Sequence, residues 1–233
     1  MVSNSPLPQE EKLDIGSLAS DIYCDGPLVS RFLHNFRWRI APINRLVEAI
    51  PFGSDVLDVG CGRGLLLNCA ARAGRIRKAH GFDSSRSAIE LANGAVARLE
   101  ASGIAPVPTF ECRSVELGVP NRTYDVVCLI DVLHHVEVSS QHEAFLLAAS
   151  CVRPGGIMVY KDMCSAPKWR AGLNRLHDLL SAHQWINYVP IATVDRWASD
   201  AGLESESAEW IPMLWYGHEL RIYRHRGLSE KSP

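Results

Sequence analysis

The sequence predicts an α/β protein: a parallel sheet with helices on both faces, a final antiparallel strand, and a helical cap at the N-terminus. Three observations lead there. Short apolar runs alternate with amphipathic, helix-length stretches between residues 55 and 160. The apolar runs are nearly continuous, DVVCLI at 125–130 above all, as in strands buried on both sides. Glycines or a Pro-Gly pair punctuate most of the junctions between them. A chain of 233 residues can build one large core but is short for two. Residues 1–50 therefore read as a tail and helical cap, and 51–233 as one structural domain with a helical excursion near 165–190.

Residues 1–20 are polar and carry Pro6 and Pro8. Leu28, Phe32, Phe36 and Ile40 then recur at helical spacing, and Pro42 divides the segment into two helices reaching Ile50. This cap is expected over the ligand-binding side of the sheet. Asp55–Val59 is the first strand, and Leu65–Ala73 a helix closed by Gly74. Ala79–Phe82 is the second strand, ending in Asp83. Ser84 and Ser85 can cap the next helix, which runs to about Ala101 before Gly103. Thr109–Cys112 and Asp125–Ile130 are the third and fourth strands. Gln141–Val152 is a helix stopped by Pro154-Gly155-Gly156, and Ile157–Tyr160 is the fifth strand. The rhythm then breaks with a helix from Pro167, another at Val194–Ala201, and two strand-like runs, Ser207–Ile211 and Glu219–Tyr223.

The most informative stretch is VLDVGCGRG, Val56 to Gly64. An apolar strand carrying Asp58 runs into glycines on alternate positions, Gly60, Gly62 and Gly64, with Cys61 between the first two. Glycine permits positive φ and close backbone approach, which a turn cradling a ligand requires. The rival pattern, G-x-G-x-x-G for a dinucleotide, needs a third glycine where Leu65 or Leu67 stands. The acid also suits a cationic ligand better than a pyrophosphate. Asp58, Gly60, Gly62 and Gly64 resemble the first motif of the class I methyltransferases that use S-adenosylmethionine. The resemblance extends over about residues 53–161 and implies a Rossmann-like fold, S-adenosylmethionine as cofactor and S-adenosylhomocysteine as product.

Further site residues follow from strand ends, because ligands of open parallel sheets lie beyond the carboxyl ends of the strands. Asp83 can accept hydrogen bonds from two ribose hydroxyls, with Ser84 beside it. Cys112-Arg113-Ser114-Val115 follows the third strand, where the family often places an acid for the adenine amino group. Ser114 stands here instead, with Glu116 close by. Either the Ser114 hydroxyl or the backbone of Ser114 and Val115 is left to meet the base. Asp131-Val132-Leu133-His134-His135 ends the fourth strand. The resemblance implies that Asp131 and Val132 pass the methionyl part of the cofactor.

His134, His135 and His177 are candidate bases for an acceptor hydroxyl. Lys161 and Asp162 end the fifth strand, and either orient an acceptor or pair with each other. Trp169 and Arg170 begin two neighbouring stripes of the helix from Pro167, Asn174 and His177 continuing the polar one. This helix is either an acceptor wall or an ordinary amphipathic surface helix. Tyr188 is a further candidate acceptor contact.

Composition bounds the partners. Hydrophobic residues make up 47% and charged residues 21%, with a net charge of −2 and no dense basic block, which disfavours a nucleic-acid partner. The seven cysteines form no C-x-x-C pair, so no metal site is expected and reduced thiols in a cytoplasmic protein are. No basic-then-apolar leader and no membrane-length apolar run are present. Nothing specifies an oligomeric state. Together these features point to methylation of a small-molecule acceptor, at oxygen in the first instance, as in secondary metabolism. N- or C-methylation, and a non-catalytic partner subunit of the same fold, are the alternatives.

Overall fold

Side chains of consecutive strand residues point to opposite faces, so a strand buried throughout must be covered twice. The computed structural model, which describes residues 42–163, 187–213 and 216–227, shows this at β1 (Ser54–Val59). Val56 enters one core with α2 (Leu65–Arg72) and α3 (Arg86–Ala101), while Leu57 and Val59 enter another on the opposite face. β4 (Tyr124–Ile130) and β5 (Val152–Met163) alternate in step: Val126, Cys128, Ile157 and Val159 face the first core, and Val127, Leu129, Met158 and Tyr160 the second. α4 (Gln141–Ser150) and α5 (Ile191–Asp200) cover the second face. Each fully buried Leu or Val in these layers contributes about 1.5–3 kcal/mol.

The seven-stranded sheet has the order β3-β2-β1-β4-β5-β7-β6, completed by β2 (Ile76–Asp83), β3 (Thr109–Cys112), β6 (Leu203–Met213) and β7 (Tyr216–His225). β1 to β5 are parallel, whereas β7 runs antiparallel between β5 and β6. The expected fold class is thus present, as a Rossmann-like sheet. Its strand order reverses between β1 and β4, the switch point where such sheets bind ligands.

The boundaries differ where backbone pairing, rather than apolar content, sets the strand. β2 starts at Ile76, three residues before the expected start, because Ile76 and Lys78 still pair along β1, with Arg77 in the register shift between them. β6 and β7 are likewise longer than their apolar runs, extended by charged residues on an antiparallel ribbon. The Pro154-Gly155-Gly156 turn falls inside β5: Tyr124 pairs with Val152 and Val126 with Ile157, so residues 153–156 loop out opposite Asp125. Of the N-terminal cap, α1 (Ile43–Glu48) is described; Ile43, Leu46 and Val47 are buried in the first core. The Leu28–Ile40 stripe and the helix from Pro167 lie outside the described residues, as do Trp169, Arg170, Asn174 and His177.

Candidate functional site

The glycine turn closes as the sequence predicts. Gly60, Gly62 and Gly64 have φ of 70°, 53° and 74°, the left-handed region that side chains resist. The N–H groups of Gly60 and Cys61 both donate to the Phe82 carbonyl, which ties the turn to the end of β2. Each glycine has its own reason. A Cβ on Gly60 would lie 2.5 Å from Val132, and one on Gly64 2.5 Å from the Phe110 ring. A Cβ on Gly62 would meet nothing within 4 Å, since it would project into open space.

That space is a cavity of about 410 Å³ at the carboxyl ends of β1, β2 and β4. Gly60, Gly62, Asp83, Ser84, Ser114, Val115, Asp131, Val132 and His135 line it, so nine of the predicted site residues converge there. Cys61 packs beneath, where a Cβ on Gly81 would touch it, and burial raises its thiol pKa. Asp83 braces the rim: Gly62 N–H donates to its Oδ2 at 2.9 Å and Ser85 N–H to its Oδ1 at 2.8 Å. Ser85, rather than Ser84, caps α3, accepting from Ala88 N–H. The Ser114 hydroxyl donates to Glu116 at 3.1 Å, so the acid held at the end of this loop is Glu116.

Asp58 is 3% exposed, and no described residue gives it a hydrogen bond or an ion pair. Burial, reinforced by the like charge of Asp83, pushes its carboxyl up to about 8. A buried acid in that state favours a cationic group nearby. The open cradle at Gly62 and this partnerless acid fit a ligand carrying an ammonium and a sulfonium, and so fit S-adenosylmethionine.

The strand-four end holds a second group of charges. Asp131 adopts φ 55°, and its N–H donates to the Lys161 carbonyl. The Lys161 ammonium, 1% exposed, donates to Asp131 Oδ2 at 2.5 Å. Asp131 Oδ1 is buried without a partner among the described residues. Burial alone would raise this carboxyl, but Lys161, His134 and His218 hold it well below the usual range. Behind it, Asp162 Oδ1 sits 2.6 Å from His134 Nδ1, with both residues buried. Lys161 and Asp162 thus pair with residues after β4 and not with each other, because β4 and β5 run side by side with Ile130 opposite Lys161.

Burial lowers the His134 pKa, but the Asp162 carboxylate raises it further, and the net shift is upward. His134 stacks 4.1 Å from His135, which faces the cavity, and 6.0 Å from Tyr188. Asn187 N–H donates to the His134 carbonyl, and Gln141 donates to Asn187, which docks the Tyr188 segment on this corner. Asp131, His134 and Asp162 offer ligand atoms within 4.8 Å of one another, a grouping the sequence does not announce. The Lys161 ammonium already pairs with one of the three, Asp131.

Comparison with known proteins agrees with this geometry. Ubiquinone biosynthesis O-methyltransferase of Alkalilimnicola ehrlichii is 31% identical over 167 residues, 68% of this chain and 64% of the relative. The enzyme of that name from Rhizobium rhizogenes is 38% identical over 107 residues, 46% and 40% of the two chains. The chain thus spans less than two thirds of the length of these relatives. The crystal structure of magnesium protoporphyrin IX methyltransferase from Synechocystis with bound S-adenosylhomocysteine shares the fold, with a TM-score of 0.66 at 19% identity over 88% of this chain and 91% of that one. The family model described as a methyltransferase domain matches residues 32–208. The chain belongs to that methyltransferase family.

Proposed function

We propose that the protein transfers the methyl group of S-adenosylmethionine to an oxygen atom of a small-molecule acceptor, with His134 taking the proton. The observation that carries this reading is the His134–Asp162 pair, buried directly behind Asp131 and His135, which line the glycine-turn cavity. When bound, the cofactor supplies an electrophilic methyl group, whose bond to sulfur breaks as the bond to the acceptor oxygen forms. The chain's own task is to position, and to move one proton. Asp58 faces the cationic part of the cofactor, Asp83 its ribose hydroxyls through lone pairs left after two backbone bonds, and Val115 with Glu116 its base. Asp131 and Val132 flank the methionyl side.

With Asp162 accepting from Nδ1–H, the neutral His134 ring carries its lone pair on Nε2, for which no described residue provides a hydrogen bond. The acceptor hydroxyl gives its proton to that atom. Lys161 holds Asp131 ionised, and Tyr188 stands beside the imidazole as an acceptor contact. Oxygen as the acceptor atom is supported by the names of the O-methyltransferase relatives, and a cytoplasmic setting by the five described cysteines, all free thiols. No helix among the described residues is long and apolar enough to cross a membrane.

Incubating metabolite extracts with the protein and isotopically labelled S-adenosylmethionine should yield a product heavier by one labelled methyl group. Cofactor binding without any labelled product would instead support the partner-subunit alternative. Asp83→Ala should weaken S-adenosylhomocysteine binding about ten- to a hundredfold, since hydrogen bonds to a charged group contribute about 1.5–3 kcal/mol. Unchanged affinity in calorimetry would remove Asp83 from the ribose.

A further inference from the structure

α4 and α5 cover the second face of the sheet over its central strands, but β2 and β3 are left largely bare there. The cause lies in the β3–β4 connection. Residues 113–123 contain one short 3-10 turn, Val115–Leu117, where a covering helix would need more chain. Ala79, Gly81 and Phe110 face the α2–α3 layer, so alternation sends Lys78, His80, Thr109 and Glu111 to the open side. Parallel sheets are normally covered on both faces.

The result is a cleft of about 690 Å³, larger than the glycine-turn cavity. His80, Thr109 and Glu111 lie across its floor: His80 Nδ1 is 3.2 Å from the Thr109 hydroxyl, and its Nε2 is 3.5 Å from Glu111. Val107, Val119, Pro120 and Tyr124 form apolar walls.

Arg77, Lys78, Arg113 and Arg122 line the cleft against the single carboxylate of Glu111. On a chain of net charge −2, this is a local reversal of sign. Arg113 is bonded to Glu111 at 3.1 Å, and Arg77 reaches back to Asp55 at 3.2 Å. Lys78 has no acceptor among the described residues. The Arg122 guanidinium lies 4.3 Å over the Tyr124 ring with no carboxylate against it. Two cations inside a concave, partly apolar site are thus left without a counter-charge. The cofactor cavity leans the other way, with Asp83, Glu116 and Asp131 against Arg63 and Arg113 in its lining. A cationic ligand suits that cavity and an anionic one suits this cleft.

We propose that this cleft is a second binding site, for an organic phosphate: the phosphate held by Lys78 and Arg122, its apolar or aromatic body lying along Val119, Pro120 and Tyr124. The site is independent of the methyl-transfer reading.

The test uses the full chain saturated with S-adenosylhomocysteine, so that the glycine-turn cavity is filled. Phenyl phosphate, titrated by calorimetry, should bind saturably at one site where phenol does not, and more weakly as salt rises. Lys78→Glu combined with Arg122→Glu should weaken it at least about tenfold while S-adenosylhomocysteine still binds. Should that pair lose its fold, Lys78→Gln with Arg122→Gln takes its place. Vesicles containing phosphatidic acid form a second arm. Binding to vesicles alone, lost in the same variants, assigns the phosphate to a lipid headgroup; binding of phenyl phosphate assigns it to a soluble ester. No saturable binding in either arm, or binding indifferent to both pairs of substitutions, overturns the proposal.

Discussion

Gly62→Val is expected to reduce the affinity for S-adenosylmethionine and S-adenosylhomocysteine at least about a hundredfold, roughly 2.7 kcal/mol, while the protein still folds. The two effects separate because of where the Cβ would go. Position 62 has φ 53°, so a side chain there costs about 1–2 kcal/mol in backbone strain, somewhat more for a β-branched one. Yet its Cβ touches nothing within 4 Å, so no packing is lost. What the isopropyl group fills is cavity, beside the Asp83 carboxylate that accepts the Gly62 N–H. Gly64→Ala should behave in the opposite way. Its Cβ would come within 2.5 Å of Phe110 and 3.0 Å of Ala92, so the loss should appear first in thermal stability. Calorimetric titration with parallel thermal melts distinguishes the two. Near-native cofactor binding by Gly62→Val would mean that the cofactor does not lie over this turn.

The glycine turn was legible in the sequence because each of its demands is local. Positive φ, close approach and strand-to-helix reversal all fall within nine residues, and glycine leaves a mark for each. The strands were legible for a similar reason: Val126–Leu129 must be apolar at every position when both faces are covered. The pairing of Lys161 with Asp131 and of Asp162 with His134 was not. It depends on β5 lying beside β4 with Ile130 opposite Lys161, a long-range fact that no local pattern encodes. The signal that could have found it is chemical: two charged residues ending a buried strand need partners, and the neighbouring strand ends in Asp131 and His134. The replacement of the family's usual acid after β3 was half legible. Ser114 marked the departure, and its hydroxyl turned onto Glu116 accounts for it. The bare face over β2 and β3 was implicit in a connection too short for a helix, but the cations gathered there come from β2 and from the β3–β4 connection and meet only in the folded chain.

His134→Ala, assayed at saturating cofactor, is expected to lower turnover about 10²–10⁴-fold, the range of a lost general base, with cofactor affinity little changed. His135→Ala should cost less, because His135 is exposed, whereas His134 is buried against the Asp162 carboxylate. The pH profile separates a base from a structural residue. Only the neutral imidazole can accept a proton, so activity should rise with pH through the His134 pKa, which Asp162 holds above the ordinary histidine value despite burial. In Asp162→Asn that support is gone, so the acidic limb should move to lower pH even as the maximal rate falls. Stability should move with the same group. A pKa raised by folding stabilises the protein fully below the unfolded-state value, and this contribution is lost as pH rises through the folded-state value. The melting-temperature gap between wild type and Asp162→Asn should therefore narrow from acid to alkaline pH. A narrowing gap with an unmoved activity limb would show that the pair holds the corner together while the proton leaves by another route. A limb that moves while turnover drops assigns the proton to Nε2 of His134, since no purely structural ion pair would set the pH at which methyl transfer begins.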